Sequence, residues 1–151
     1  MEFTSPSAKL AFESTVSVQG VLDYLAAGSD ELVAVGMESP WSPEVIGRAI
    51  VAAARDYNSI PPTIDSVHPG TLSTHTNMFY DGAAYHAYRM LHAQLSRRDI
   101  DHQAGGVTTN LVSKQIAHAE KMMQTYRTSF VDAVRTRKNT LNQSFGYGRV
   151  G

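Results

Sequence analysis

The chain has 151 residues, 42% of them hydrophobic and 18% charged, with a formal net charge of −1 and no cysteine. That length and apolar content fit one soluble domain (residues 1–151) with a real core and leave two domains cramped. The lack of cysteine excludes disulfides and thiolate metal sites and fits a reducing cytosol, while no apolar run approaches the roughly 18 residues that span a bilayer. The opening MEFTSPSAKLAFES lacks the basic and then apolar blocks of a secretion signal.

Charge is unevenly spread. Residues 1 to 110 hold 6 Lys/Arg against 12 Asp/Glu, whereas residues 111 to 151 hold 7 against 2. Two readings of the basic end stand side by side. Arg135, Arg137 and Lys138 either complement the negative end of a long C-terminal helix or form a basic docking surface.

Residues 1–14 read as a flexible arm, with Phe3, Leu10 and Phe12 as its few apolar anchors. Val18, Val21, Leu22 and Leu25 then share one face of a short helix that ends near Ala27, with Gly28 as its C-terminal cap. Glu31 to Gly36 (ELVAVG) is a short strand or continued apolar packing, which periodicity does not separate.

A second helix opens at Ser39-Pro40-Trp41-Ser42-Pro43-Glu44. Ser42 caps it, Pro43 suits the first position because its missing N–H needs no partner, and Glu44 favours the positive end of the dipole. Trp41 and Ile46 have the spacing of a hydrophobic staple, so Trp41 reads as core rather than as a ligand contact. Ile46, Ala49, Ile50, Ala53 and Tyr57 form the buried face, and the helix stops at Asn58 before Ile60-Pro61-Pro62.

Residues 60–76 read as a long irregular loop broken by Pro61, Pro62, Pro69 and Gly70, of a length that favours an interaction role. The third helix is expected over Asn77 to Arg97. Its face is Asp81, Ala84, Tyr85, Tyr88, Leu91, His92 and Leu95, slightly weakened by Gly82. Asp99 to Thr109 then makes a turn around Gly105-Gly106.

The element around which the chain is organised is expected at Thr109 to Leu141. Val112, Ile116, Ala119, Met123, Tyr126, Phe130 and Ala133 recur in alternating steps of four and three, one stripe of a helix. About 33 residues make a rod roughly 50 Å long, against about 40 Å for a compact globule of this chain length. Such a helix overhangs its domain, and Met123, Tyr126 and Phe130 become candidates for an oligomer interface. It is expected to pack antiparallel to the third helix. The tail from Asn142 to Gly151 alternates large side chains with glycine, and Phe145, Tyr147 and Arg149 are residue types that anchor interfaces.

The fold class is therefore mostly α: a small bundle of about four helices with one long C-terminal helix, an extended N-terminal arm and a glycine-rich C-terminal tail. The residues offer no catalytic, cofactor or metal site. The six histidines (His68, His75, His86, His92, His102, His118) contain no HExxH and no helical i, i+4 pair. Asp99, Asp101 and His102 lack the EF-hand spacing and read as a solvated acidic turn. No phosphate loop, dinucleotide fingerprint or nucleophile elbow occurs. Tyr80, Tyr85 and Tyr88, beside Met78 and Met90, form a pattern of core or interface.

Several stretches together resemble the small neck proteins of tailed bacteriophages. They are Trp41-Ser42-Pro43-Glu44-Val45-Ile46, a helix ending in Asp56-Tyr57-Asn58-Ser59-Ile60-Pro61-Pro62, the turn Asp101-His102-Gln103-Ala104-Gly105-Gly106-Val107, and a final helix. That helix runs through Lys138-Asn139 into Phe145-Gly146-Tyr147-Gly148-Arg149-Val150-Gly151. The resemblance covers about residues 40 to 151. It implies a head-to-tail connector, or adaptor, in the virion: a helical homo-oligomeric ring, commonly a dodecamer, made in the host bacterial cytoplasm. Such a ring sits beneath the capsid portal and continues the DNA channel without sequence-specific contact. It also implies portal protein and other neck or tail proteins as partners, with the tail residues Phe145, Tyr147 and Arg149 docking on the portal. The competing readings are another phage tail or baseplate structural protein, marked by a β-rich core, and a helical nucleic-acid-binding or enzyme-regulating module using the basic last quarter.

Overall fold

The computed structural model describes residues 16–26, 41–68, 76–104 and 110–145. Within them lie four helices, α1 (Val18–Ala26), α2 (Pro43–Ser59), α3 (Thr76–Ala104) and α4 (Asn110–Phe145), and no strand. The helical bundle expected from the sequence is what forms. The N-terminal arm, the ELVAVG segment, the Gly28 cap, the Gly105-Gly106 turn and residues 146–151 lie outside the described residues. No described helix is long and apolar enough to cross a membrane.

Helix α1 starts on Ser17, whose hydroxyl accepts the Gly20 N–H at 3.0 Å, a cap the apolar spacing did not announce. Val21 and Leu25 are buried, with Val18 and Leu22 packed beside them. Helix α2 begins as its residues dictate, with Ser42 extended (φ −89, ψ 158) and its side chain accepting from the Val45 N–H. Trp41 packs edge-on against Tyr88 at 5.0 Å, inside the bundle. The helix ends at Ser59 because Pro61 pushes Ile60 into the extended region (φ −72, ψ 124).

Helix α3 is the centre of the molecule, since it packs against α1, α2 and α4. The organising role expected of the last helix falls to this one. Its buried residues Phe79, Ala83, Ala84, Ala87, Tyr88, Leu91 and Leu95 wrap around more of the helix than the single face read from the sequence, because three neighbours cover it. It also runs past Arg97 to Ala104. Residues 99–104 contain no glycine or proline, so helix is maintained through Ala104, and residues 99–104 of the acidic turn expected there are helical instead.

Helix α4 has 36 residues, about 54 Å, and outlasts its expected end because Asn142, Gln143 and Ser144 precede the first glycine of the tail. The pairs Phe79–Phe130 and Tyr88–His118 run in opposite senses along α3 and α4, so the two are antiparallel. The stripe of α4 does not hang free. Ala119 and Phe130 lie in the core, and Ile116, Met123, Tyr126 and Ala133 pack half-buried against it. Among the described residues the only large hydrophobics left exposed are Tyr24 and Val51. Asp81 ties three helices together: Tyr24 on α1 donates to it at 2.5 Å and Ser129 on α4 at 2.7 Å.

Gly82 sets how closely α3 approaches its neighbours. A Cβ there would lie 2.9 Å from the Ala53 Cβ and 2.9 Å from two atoms of the buried Phe130 ring, whereas one at Gly47 would meet nothing within 4 Å. Alanine gains up to about 1 kcal/mol over glycine in a helix interior, but overpacking a core costs about 1–3 kcal/mol. Gly82→Ala is therefore expected to destabilise the fold by about 1–2 kcal/mol, and Gly47→Ala to stabilise it by up to about 1 kcal/mol. Urea denaturation of the two variants checks this, and equal effects at both sites would remove the packing argument.

Candidate functional site

The last turn of α2 leaves carbonyls without a helical donor, and α4 lies over them. Lys138 supplies the donor. Its side chain is fully buried, and its ammonium donates to the Tyr57 carbonyl and, at 2.5 Å, to the Ile60 carbonyl, while standing 4.6 Å over the Tyr57 ring. Burial holds the Lys138 pKa below the ordinary lysine value, and Asp65 works against that lowering. This basic residue is thus neither a surface docking charge nor a complement to its own helix. It caps the negative end of a different one.

Around it the segment after α2 is laced down. Asn58 clamps the Val67 backbone through two bonds, Nδ2–H to the carbonyl at 2.9 Å and the N–H to Oδ1 at 2.7 Å. Tyr57 donates its hydroxyl to Asp65 at 2.6 Å, and Arg137 bonds both the Tyr57 oxygen and the Asp65 carboxylate, at 3.0 Å each. Burial, then the bond to Asp65, pushes the Tyr57 pKa up to about 12. Asp65 has φ 57, a left-handed conformation that a short polar side chain tolerates. Residues 60–68 of the expected interaction loop are therefore fastened to the bundle.

Beside this clamp, α2, α3 and α4 bound a cleft of about 320 Å³. Asp56 and Pro61 form one wall, Tyr85 and Arg89 a second, and Arg127, Phe130 and Val131 a third. Next to it, His86 is buried with Nε2 2.6 Å from Asp56 Oδ2, while the Asp56 side chain is 41% exposed. Burial lowers the His86 pKa below 6.5, against the raising effect of Asp56, with Arg89 adding to the lowering. The imidazole nitrogen and the carboxylate oxygen are thus within hydrogen-bond distance. Ser59 is turned away, its hydroxyl donating to the carbonyls of Arg55 and Asp56. No group of three His, Asp or Glu among the described residues is placed to hold a metal.

The sequence-derived candidates are scattered by the fold. Phe130 is 1% exposed and packed on Phe79, so it cannot serve an interface between copies and is corrected to a core residue. Met123 is half-buried against the core, and Tyr126 stacks on Tyr88 at 5.8 Å. Phe145 ends α4 rather than sitting in an extended tail, and Tyr147 and Arg149 lie outside the described residues. Tyr88 and Met78 are core, with Tyr80 and Met90 packed beside them. Sequence reasoning missed Asp56, His86, Arg89 and Arg127 as a group. Their one signal was polar residues inside otherwise buried helical faces. Comparison with protein-family models, with curated proteins and with solved structures finds no match to this chain.

Replacing Lys138 by Met strands two carbonyls, each worth about 1–3 kcal/mol when buried without a donor. Lys138→Met is expected to destabilise by about 2 kcal/mol or more, and exposed Arg135→Ala by about 0.5 kcal/mol or less; denaturation curves that coincide would refute the capping role. For His86 the folded pKa lies below the unfolded one, so between them the unfolded chain binds the extra proton. Stability should fall as pH drops below about 6.5. His86→Gln should flatten that fall, and an unaltered pH slope in the variant would refute the assignment.

Proposed function

We propose that this chain is a structural subunit of the neck of a tailed bacteriophage, an adaptor that joins portal to tail as a ring and catalyses no reaction. The resemblance of residues 40 to 151 to neck adaptors motivates the reading, and one observation carries it: α4 is fastened close to its C-terminal end. Arg137 and Lys138 tie it to α2 and to the segment after it. The helix then continues to Phe145, about 10 Å further. The segment holding Tyr147 and Arg149 follows from the end of a rod whose position is fixed. A segment on such a base can thread into a cleft of the portal by backbone contacts, with Tyr147 as anchor and Arg149 pairing with a carboxylate.

In this reading the ring contacts do not use the stripe of α4, which the subunit's own α3 covers. With only Tyr24 and Val51 as large exposed hydrophobics among the described residues, a free subunit has little apolar surface to bury against a copy. Ring closure then follows from being held side by side on the portal. The nucleic-acid alternative loses support, because Lys138 is buried and Arg137 pairs with Asp65.

Light scattering of the purified chain should give the mass of a monomer, and a multiple of it on addition of portal. Deleting residues 146–151 should leave helicity and melting temperature unchanged and abolish attachment. A full-length chain indifferent to portal overturns the adaptor reading, whereas a truncated chain that still attaches overturns only the role of the tail.

A further inference from the structure

The cleft between α2, α3 and α4 carries charge that the fold does not use. Arg89 projects from α3 and Arg127 from α4, both exposed and both lining the same cavity, and neither has an ion pair or hydrogen bond to a described residue. Arg137, by contrast, is committed to Asp65. The cleft's one carboxylate, Asp56, is held by His86. Among the residues that line it, two guanidiniums against one carboxylate leave the cavity with a single surplus positive charge. Ile60, Pro61, Phe130 and Val131 give it an apolar side, with Ser59 and Tyr85 also on its lining. A volume of about 320 Å³ lies at the small end of ligand pockets.

We propose that this cleft binds a small organic monocarboxylate, its carboxylate held by Arg89 and Arg127 and its apolar body against Phe130, Val131, Ile60 and Pro61. Guanidinium recognises carboxylate through paired, charge-assisted hydrogen bonds. One negative charge balances the surplus. A dianion such as phosphate meets Asp56 and the carbonyl end of α2, both of which repel a second negative charge. The site is independent of the adaptor reading, because it needs neither a partner nor the tail.

Benzoate titrated into the full-length chain at constant ionic strength, followed by NMR of the Arg89 and Arg127 side chains, tests the assignment. Saturable shifts are expected with a dissociation constant on the order of 1 mM, together with a rise in the His86 pKa as a second negative charge arrives nearby. Neutral benzamide should produce no saturable shift, and inorganic phosphate should bind more weakly than benzoate. Arg89→Gln and Arg127→Gln should each weaken benzoate by about tenfold or more. Both residues are exposed, so the variants should fold, and the benzamide comparison uses the unaltered chain. Equal binding of benzamide, tighter binding of phosphate, or unchanged benzoate affinity in both variants would overturn the proposal.

Discussion

A buried helix end has to find donors, and here one ammonium group supplies them. Lys138 reaches from α4 to the carbonyl of Tyr57 in the last turn of α2 and to that of Ile60 just beyond it. Taking a charge out of water is unfavourable by itself. It is tolerated because the carbonyls, the negative end of the α2 dipole and the Tyr57 ring all face the ammonium. The Tyr57 ring is thereby held in place, its hydroxyl meets Asp65, and Arg137 closes the network from the helix that carries Lys138. The path of residues 60–68, the position of α4 over α2 and the rim of the cleft all follow from that contact.

The second constraint is steric. Helix α3 touches every other helix, and it does so through small residues: Ala83, Ala84 and Ala87 are fully buried, and Gly82 admits Phe130 and Ala53 at distances that no side chain would allow. Close approach there brings α2 and α4 near one another across α3. The cleft opens where the small residues give way to Tyr85 and Arg89. Packing density and a polar cavity thus sit side by side on the same helix, because one face of α3 is alanine and glycine and the adjoining face is aromatic and basic.

Under the proposed adaptor reading, the mechanical consequence is what matters. In that reading the residues after α4 hold a partner in a defined direction only if their base does not swing, and a rod fixed by hydrogen bonds near its end meets that need. The internal cover on the α4 stripe has a further consequence. In the proposed assembly, a subunit that covers its own hydrophobic surface associates through the geometry supplied by the partner rather than through apolar surface left waiting for a copy.

What the sequence by itself determined was local. Ser42-Pro43-Glu44 starts α2 and the Pro61-Pro62 pair ends it, because caps and proline sterics act within a few residues. The stripe of α4 declared a helix through its period. What only the tertiary structure decided was which neighbour each face meets. Lys138 and Phe130 show why: one reads as a surface charge and the other as an interface residue, yet both are buried, since burial depends on elements some 80 and 50 residues distant in the chain. The breadth of the α3 core, the close approach at Gly82 and the grouping of Asp56, His86, Arg89 and Arg127 have the same origin. Each arises from three helices meeting, and no spacing along a single one encodes it.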